Sequence, residues 1–237
     1  MAGRIGQGGI IKDGLVLWLD ASNPRSYPPP YNGNTWSDLT INGNNGTLFN
    51  GPTFNTLNSG SIVFDGTNDY VESGKINPTY FTISCWFRAN GAPSTNDDFG
   101  GVLVISSPQL FGGVVQYSVA YSWSSQKLNF TVQNNLLTTA TPNGSVLRNT
   151  IYNVTVLYNG LRNQIYVNGN FVTEIVNTTN PTYPTTGNVN LQIGRWGFAG
   201  FERYFNGNIY QTQIYNRALS ASEVLQNYNA TRGRFGL

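Results

Sequence analysis

The feature that most constrains the fold is an alternation of apolar and polar residues with period two that recurs along most of the chain. Successive side chains of a strand point to opposite faces, so this alternation is typical of half-buried antiparallel strands. It occurs at residues 15–20, 61–64, 81–87, 115–121, 127–132, 151–158, 164–167, 171–175, 189–193 and 208–215. The sequence therefore predicts an all-β protein built from antiparallel sheets.

Turn-forming dipeptides separate these segments. Asn and Gly accept the positive φ of tight turns, and Asn-Gly or Asp-Gly is the strongest short hairpin signal. Such pairs begin at Asn42, Asn45, Asn50, Asp65, Asn90, Asn143, Asn159, Asn168 and Asn206. The clearest pair is Asn168-Gly169, for which we predict a type I′ turn that places Ile165 and Val167 on one face, with Phe171 as a cross-strand partner.

One segment near the C-terminus has a helical signature. Ser220 is followed three residues later by Glu223, which is the spacing of a capping box. Val224, Leu225 and Tyr228 then supply a short apolar face. The sequence predicts one C-terminal helix of one or two turns.

Many antiparallel strands joined by short turns must bury their apolar faces against each other. A two-sheet sandwich or a closed barrel would achieve this, and the length of 237 residues favours the sandwich. The proline-rich stretch at residues 24–30 has strand patterns on both sides, so we interpret it as a surface loop rather than a linker. We expect one domain over residues 13–230, preceded by an N-terminal arm, 1–12, and followed by a tail, 231–237.

The composition excludes several classes of function. Charged residues make up only 10% of the chain and the net charge is +2, without a run of Lys or Arg, so we expect no nucleic-acid partner. The sequence has no apolar run of ~20 residues, and its N-terminus lacks the apolar core of a signal peptide. We therefore expect neither membrane insertion nor a secretory signal.

The shortage of nucleophiles and bases argues against several enzyme mechanisms. The chain has no histidine, which excludes Ser-His-Asp and Cys-His chemistry and Cys/His zinc sites. The single cysteine, Cys85, alternates in phase with Phe81 and Phe87, so we predict that it lies on the core face. Glu72, Glu174, Glu202 and Glu223 stand isolated from one another in the sequence.

Two carboxylates in the stretch SIVFDGTNDYV allow more than one interpretation. Glycoside hydrolysis needs two carboxyl groups facing each other across a cleft at about 5–9.5 Å, whereas Asp65 and Asp69 flank a turn, so we expect no catalysis. Calcium takes six to eight oxygen ligands, and the candidates for such a site are Asp20, Asp65, Asn68 and Asp69. Alternatively, Asp65 accepts backbone N–H groups within the turn and Asp69 begins the next strand.

The segment GRWGFAGFERYFNG contains more aromatic rings than a strand can bury on one face. Exposed rings stack on sugar faces, and neighbouring polar side chains bind hydroxyl groups. The predicted glycan- or partner-binding residues are Arg195, Trp196, Phe198, Phe201, Arg203 and Tyr204. Trp196 is the first choice among them. A second aromatic cluster contains Tyr117, Tyr121 and Trp123, and Tyr117 and Tyr121 share a face that could line a concave sheet, although core packing is the simpler interpretation. Trp18, Trp36 and Trp86 are interpreted as structural.

Four blocks of the sequence carry a family resemblance. They are DGLVLWLDASNP, WSDLTINGNNGTLFNGPTF, SIVFDGTNDYV with FTISCWF, and the ending that runs from IYVNGN through IGRWG to FNGNIYQTQIYNRALSASEVLQNYN. In this order they resemble the concanavalin A-like jelly-roll superfamily in its LamG-like branch. The resemblance implies a jelly roll of two antiparallel sheets, which is a common carbohydrate-binding scaffold and often holds a calcium ion.

The opening LDASNPRSYP and the ending YNATRGRFGL more narrowly resemble LamG-like structural proteins of tailed phages, particularly marine ones. This implies a non-catalytic protein on the virion surface: a capsid decoration, fibre or tail component. The implied partners are other virion proteins, which the protein would contact through its arm as a homo-oligomer or assembly component, and a cell-surface or environmental glycan. The alternatives are a stand-alone lectin-like module and, more remotely, a glycoside hydrolase or lyase.

Overall fold

A computed structural model describes residues 8–76, 78–92, 102–106, 117–132, 137–176, 190–198 and 201–237. The strands are β1 (Leu15–Asp20), β2 (Thr35–Trp36), β3 (Gly46–Phe49), β4 (Thr53–Asn55), β5 (Ser61–Asp65), β6 (Tyr70–Ser73), β7 (Phe81–Ala89), β8 (Val102–Ser106), β9 (Tyr117–Ser122), β10 (Lys127–Val132), β11 (Leu137–Ala140), β12 (Tyr152–Tyr158), β13 (Arg162–Val167), β14 (Asn170–Val176), β15 (Leu191–Ile193), β16 (Arg195–Phe198), β17 (Phe201–Tyr204) and β18 (Asn206–Tyr215). One α-helix, α1 (Ala221–Arg232), follows, and short 3₁₀ turns lie at Leu57–Ser59 and Gly233–Phe235.

The strands form two large antiparallel sheets. Sheet A has the order β14-β13-β12-β7-β18-β5-β4, and β1 pairs with β18 beyond the end of β5. Sheet B has the order β11-β10-β9-β8-β15-β6-β3-β2. The hairpin β16–β17 is a separate two-stranded unit. The predicted all-β antiparallel sandwich with one C-terminal helix is confirmed.

The core lies between the two sheets and is filled by alternate residues of facing strands. Cys85 is 1% exposed and shares the buried face of β7 with Phe81 and Phe87, as predicted. Tyr117 and Tyr121 are also buried, and their hydroxyl groups donate to backbone carbonyl oxygens at 2.8 and 3.1 Å. Their interpretation as core residues is therefore confirmed.

Helix α1 covers the outer face of sheet A. Its predicted capping box is present, because the Ser220 hydroxyl accepts from Glu223 N and the Glu223 carboxylate accepts from Ser220 N. The predicted length of one or two turns is wrong, since the helix runs for 12 residues. It extends because Trp86 on the outer face of β7 stacks on Tyr228 and, at a centroid distance of 4.2 Å, on Phe235 in the tail.

The hairpin β13–β14 confirms one prediction and corrects another. Asn168 and Gly169 have φ values of 51° and 75°, the positive values that a type I′ turn requires. However, the register shifts between Ile165 and Tyr166, and Phe171 lies opposite Tyr166. The predicted partnership of Phe171 with the Ile165 face is therefore wrong. The two-residue turn at Asn168-Gly169 pairs Tyr166 with Phe171 directly, so the Phe171 ring lies on the outer face, 5.5 Å from the Tyr166 ring.

The outer face of sheet B differs from that of sheet A, because in the described part of the chain no α-helix covers it. Small and polar side chains lie at paired positions on this face: Thr47, Glu72 and Gln192 on β3, β6 and β15, and Ser118, Thr131 and Thr138 on β9, β10 and β11. None of the described helices has the length and apolar character needed to cross a bilayer. On the outer face of sheet B, Thr47 and Thr138 are exposed and Glu72 is partly exposed, whereas Gln192, Ser118 and Thr131 are buried.

Candidate functional site

The predicted aromatic segment forms the hairpin β16–β17. Its base is fixed at Gly194, whose carbonyl oxygen accepts from Phe205 N at 2.8 Å. The register pairs Arg195 with Tyr204, Trp196 with Arg203, and Phe198 with Phe201. Directly paired residues share a face of an antiparallel ladder. Arg195 and Tyr204 therefore lie on one face of the hairpin, and Trp196 and Arg203 lie on the other.

The face that contains Arg195 is held by charged and aromatic contacts. Arg195 Nη2 lies 2.5 Å from Glu202 Oε1, and the Tyr204 hydroxyl donates to Glu202 Oε2 at 3.1 Å. The Arg195 guanidinium carbon lies 4.7 Å from the centroid of the Tyr70 ring. Burial raises the pKa of Tyr204, and the hydrogen bond to Glu202 raises it further. The structure thus assigns Arg195 and Tyr204 to anchoring the hairpin on sheet B.

Next to this anchor, two aromatic rings lie on the outer face of sheet B. Phe49 of β3 is paired with Tyr70 of β6, and their rings stack at 4.8 Å with an interplanar angle of 10°. Both side chains are partly exposed. The sequence analysis missed them because alternation alone does not indicate which face of a sheet is open. The sequence held one indication of this position: Tyr70 directly precedes the apolar Val71, so the two side chains point to opposite faces of β6.

Polar groups border these rings. The Glu72 carboxylate accepts from Asn190 Nδ2 at 2.9 Å and from Gln192 Nε2 at 3.1 Å. Amide and carboxylate groups on an open sheet face can exchange hydrogen bonds with hydroxyl groups of a ligand. The outer face of sheet B therefore offers rings and hydroxyl-binding groups side by side.

The other face of the hairpin, here called the Trp196 face, pairs an indole with a guanidinium. The Arg203 guanidinium carbon lies 4.4 Å from the Trp196 ring, and both residues are partly exposed. The guanidinium lies over one face of the indole and holds the ring in place, so a ligand would stack on the opposite face. The side chains of Phe198 and Phe201 lie outside the described residues, so only their strand pairing is known.

Three of the four predicted metal ligands lie in one turn. Asp65 Oδ1 accepts from the backbone N–H groups of Thr67 at 2.7 Å and Asn68 at 3.3 Å. Asp69 Oδ2 accepts from Asp65 N at 3.0 Å. Asp69 is 4% exposed, and burial raises its pKa to about 6. The turn interpretation accounts for one oxygen of each of the two carboxylates.

The fourth predicted ligand, Asp20, is not brought together with the other three. Asp20 is opposite Gln211 and Asp65 is opposite Asn206, and these two partners are five residues apart on β18. At ~3.3 Å per residue this separates the backbone positions of Asp20 and Asp65 by roughly 17 Å along β18. In the described ranges, no group of three or more Asp, Glu or Cys side chains is placed to hold a metal ion. The four residues therefore do not fit a single calcium cage.

The sequence matches the family model of the concanavalin A-like lectin/glucanases superfamily over residues 65–225, which is more than half of the chain. The chain belongs to this superfamily. The match agrees with the two antiparallel sheets and identifies the protein as a lectin-type jelly-roll domain. No curated protein sequence matches the chain.

Several solved structures are similar to this jelly roll. Trypanosoma rangeli sialidase in complex with sialic acid has a TM-score of 0.69 and 17% identity, covering 95% of this chain and 34% of the sialidase chain. The binding domain of Paraclostridial Mosquitocidal Protein 1 has a TM-score of 0.69 and 19% identity, covering 92% of this chain and 52% of the other. These identities are low, so the similarity concerns the fold.

A third similar structure is Domain 4 of AbnA, a GH43 extracellular arabinanase from Geobacillus stearothermophilus, in complex with arabinotriose. It has a TM-score of 0.64 and 13% identity, covering 90% of this chain and 98% of the other. The chain thus spans about a third of the sialidase structure but corresponds to nearly the whole of the arabinanase domain.

Proposed function

We propose that this protein is a non-catalytic glycan-binding domain that uses the β16–β17 hairpin and the adjoining outer face of sheet B. The observation that carries the proposal is the partly exposed pair of Trp196 and Arg203 on the hairpin. An indole offers a flat apolar surface to the C–H face of a sugar, and a guanidinium donates to hydroxyl oxygens.

The similar structures add support from proteins with the same fold. The arabinanase domain was solved with arabinotriose, the sialidase with sialic acid, and the mosquitocidal fragment is a binding domain. Fold alone does not fix function, so the hairpin and the sheet face carry the argument for this chain.

The environments of the carboxyl groups favour binding over catalysis. Glu72 is bound by two amides, and Glu202 is bound by Arg195 and Tyr204. A glycosidase needs an acid with a raised pKa that faces a second carboxylate across a cleft. Among the described carboxyl groups, Asp69 has a raised pKa of about 6, but it is buried in its own turn.

Removal of the Trp196 ring is expected to weaken glycan binding. For Trp196→Ala we expect the affinity for the best-bound glycan of an array to fall about tenfold or more, the loss expected for one stacking contact. Titration calorimetry with that glycan would measure the change. The folded state should be retained, because the ring is partly exposed.

The matched control is Trp123→Ala, which removes another partly exposed indole that lies 4.8 Å from an arginine, Arg148. This variant should bind like the wild type. Equal affinities for wild type and Trp196→Ala would show that the hairpin is not the binding site. Release of reducing sugar by the wild type would contradict a non-catalytic role.

We further propose that the glycan-binding domain serves as a structural component of a phage virion, as the narrower resemblance implies. The observation in favour is that the N-terminal segment docks on α1. Gly9 O accepts from Gln226 Nε2 at 2.8 Å, and Ile11 N donates to Asn227 Oδ1 at 2.8 Å. These bonds fix the point from which the arm could reach a neighbouring virion protein.

Deletion of residues 1–7 is expected to reduce incorporation into virions while leaving glycan binding intact. The docked residues from Gly8 onward remain, so the fold should be preserved. Immunoblots of purified phage particles would measure incorporation, with Gln226→Ala as a variant that loosens the docking of Gly9 alone. Unchanged incorporation of the deletion variant would argue against contact through the arm.

A further inference from the structure

The proline-rich loop between β1 and β2 holds one residue in an unusual backbone conformation. Tyr31 has a φ of 61°, a left-handed value that is a steric outlier for a bulky side chain. The loop is closed around it, because Tyr31 N donates to Pro28 O at 3.0 Å and the Tyr27 hydroxyl donates to Gly33 O at 2.8 Å. Strained residues of this kind persist where surrounding contacts hold them, and they concentrate at ligand-binding positions.

The left-handed conformation places the Tyr31 ring flat on Phe54 of β4. The two ring centroids are 4.2 Å apart, and the rings are within 9° of parallel. Phe54 is supported by Gly60, where a Cβ atom would come within 2.8 Å of the ring. The Tyr27 ring is 2% exposed, and its centroid lies 5.7 Å from that of Phe54, on the buried side of the stack. Tyr31 and Phe54 themselves are partly exposed, and together they are called the Tyr31 platform.

Packing explains part of the choice of tyrosine at this position, because the Tyr31 ring packs against the core through Phe54 and Tyr27. Glycine or asparagine would satisfy the left-handed backbone with less strain. The Tyr31 ring is partly open to solvent, so it also contributes less to the core than the buried Tyr27 ring does. What the tyrosine adds is a flat aromatic surface that is held rigidly before any ligand arrives, and such preorganisation lowers the entropy lost on binding.

The residues around the platform in sequence are uncharged. Asn32, Asn34 and Thr35 follow Tyr31, whereas Thr53 and Asn55, on either side of Phe54 on β4, point to the opposite face of the sheet. Asn34 is fixed in place because its carbonyl oxygen accepts from Leu48 N at 2.7 Å. Amides and hydroxyls beside a rigid ring match the hydroxyl groups and the C–H face of a sugar. They provide no charge to select an acidic one.

We propose that the Tyr31 platform is a second glycan-binding subsite, which stacks a neutral sugar ring and is separate from the β16–β17 hairpin. The inference rests on the proposed glycan-binding function and extends it to a different surface. A long polysaccharide bound at both places would be held more tightly than at either place alone, because the second contact is made within the same complex.

Affinity electrophoresis would test the subsite, in gels that contain laminarin, xylan, mannan or arabinan. The proteins to compare are the wild type, Tyr31→Gly, Tyr31→Phe, Trp196→Ala and the double variant Tyr31→Gly/Trp196→Ala. Glycine keeps the left-handed backbone without strain, so the loop should stay folded. In the gel that retards the wild type most, we expect about three- to tenfold weaker binding for Tyr31→Gly and a further loss for the double variant. Tyr31→Phe keeps the ring and should bind like the wild type.

The control is Tyr80→Ala, which removes a tyrosine that is 48% exposed elsewhere on the surface and should not change retardation. If Trp196→Ala weakens retardation but Tyr31→Gly does not, the second subsite is wrong and the proposed function stands. If no gel retards the wild type, both are wrong. Thermal melts of each variant separate lost binding from lost folding, and a Tyr31→Gly protein that melts like the wild type yet binds less supports the subsite.

Discussion

Arg234→Ala is expected to lower the free energy of unfolding by about 3–5 kcal/mol, the usual effect of removing one partner of a buried ion pair. Arg234 Nη1 lies 2.8 Å from Asp20 Oδ1, and the two side chains are only 14% and 12% exposed. The guanidinium also donates to the carbonyl oxygens of Asn58 and Gly60. Its loss would leave the Asp20 charge buried with Ser22 and Gln211 as its remaining partners.

The comparison variant is Arg162→Ala, which removes the arginine of the ion pair between Arg162 and Glu174. Those side chains are 40% and 29% exposed, so solvent screens the pair and we expect a loss of no more than about 1 kcal/mol. Urea unfolding followed by tryptophan fluorescence would give both values. Losses of similar size for the two variants would show that burial of the Asp20–Arg234 pair is not what makes it important.

The partner of Asp20 also shows what the sequence could not predict. Asp20 and Arg234 are separated by 214 positions, and only the docking of the C-terminal tail brings them together. Before the tail is placed, a carboxylate at the end of β1 resembles a calcium ligand as much as half of an ion pair. The sheets, in contrast, follow from local alternation, and for β1 and β10 the predicted bounds equal the observed ones.

Helix α1 could be predicted from the sequence only in part. Its start was predictable because a capping box is a local hydrogen-bonding pattern at Ser220 and Glu223. Its end was not, because the last turns are stabilised by Trp86, which is distant in the sequence. Tertiary contacts of this kind regularly extend helices beyond what local propensity supports.

The candidate site was likewise predicted in part. Trp196 and Arg203 could be identified because the alternation of neighbouring strands cannot bury every ring of a dense aromatic segment. The anchoring role of Arg195 could not, since it depends on Tyr70 and on Phe49 behind it, which belong to other strands. The strained Tyr31 was also hidden, because its positive φ is a property of the folded loop.

Gly194→Ala is expected to lower the free energy of unfolding by about 2–4 kcal/mol, because it combines overpacking with backbone strain. Gly194 has a φ of 84°, and a Cβ atom there would lie 2.5 Å from the Phe64 ring. Phe64 is 1% exposed and packs edge-on against Phe205, so it has little room to move. The control is Gly43→Ala, which has a similar φ of 67° but nothing within 4 Å, and it should show only the strain of about 1 kcal/mol.

The same substitution tests the link between fold and site. Gly194 O accepts from Phe205 N at the base of the β16–β17 hairpin, so a shift of this backbone should displace Trp196 as well. We therefore expect folded Gly194→Ala protein to bind glycan less tightly than wild type, whereas Gly43→Ala should bind normally. Calorimetry below the unfolding transition would measure this. Wild-type affinity in a destabilised Gly194→Ala protein would mean that the hairpin keeps its place without this glycine, and that its position does not depend on the packing of Phe64.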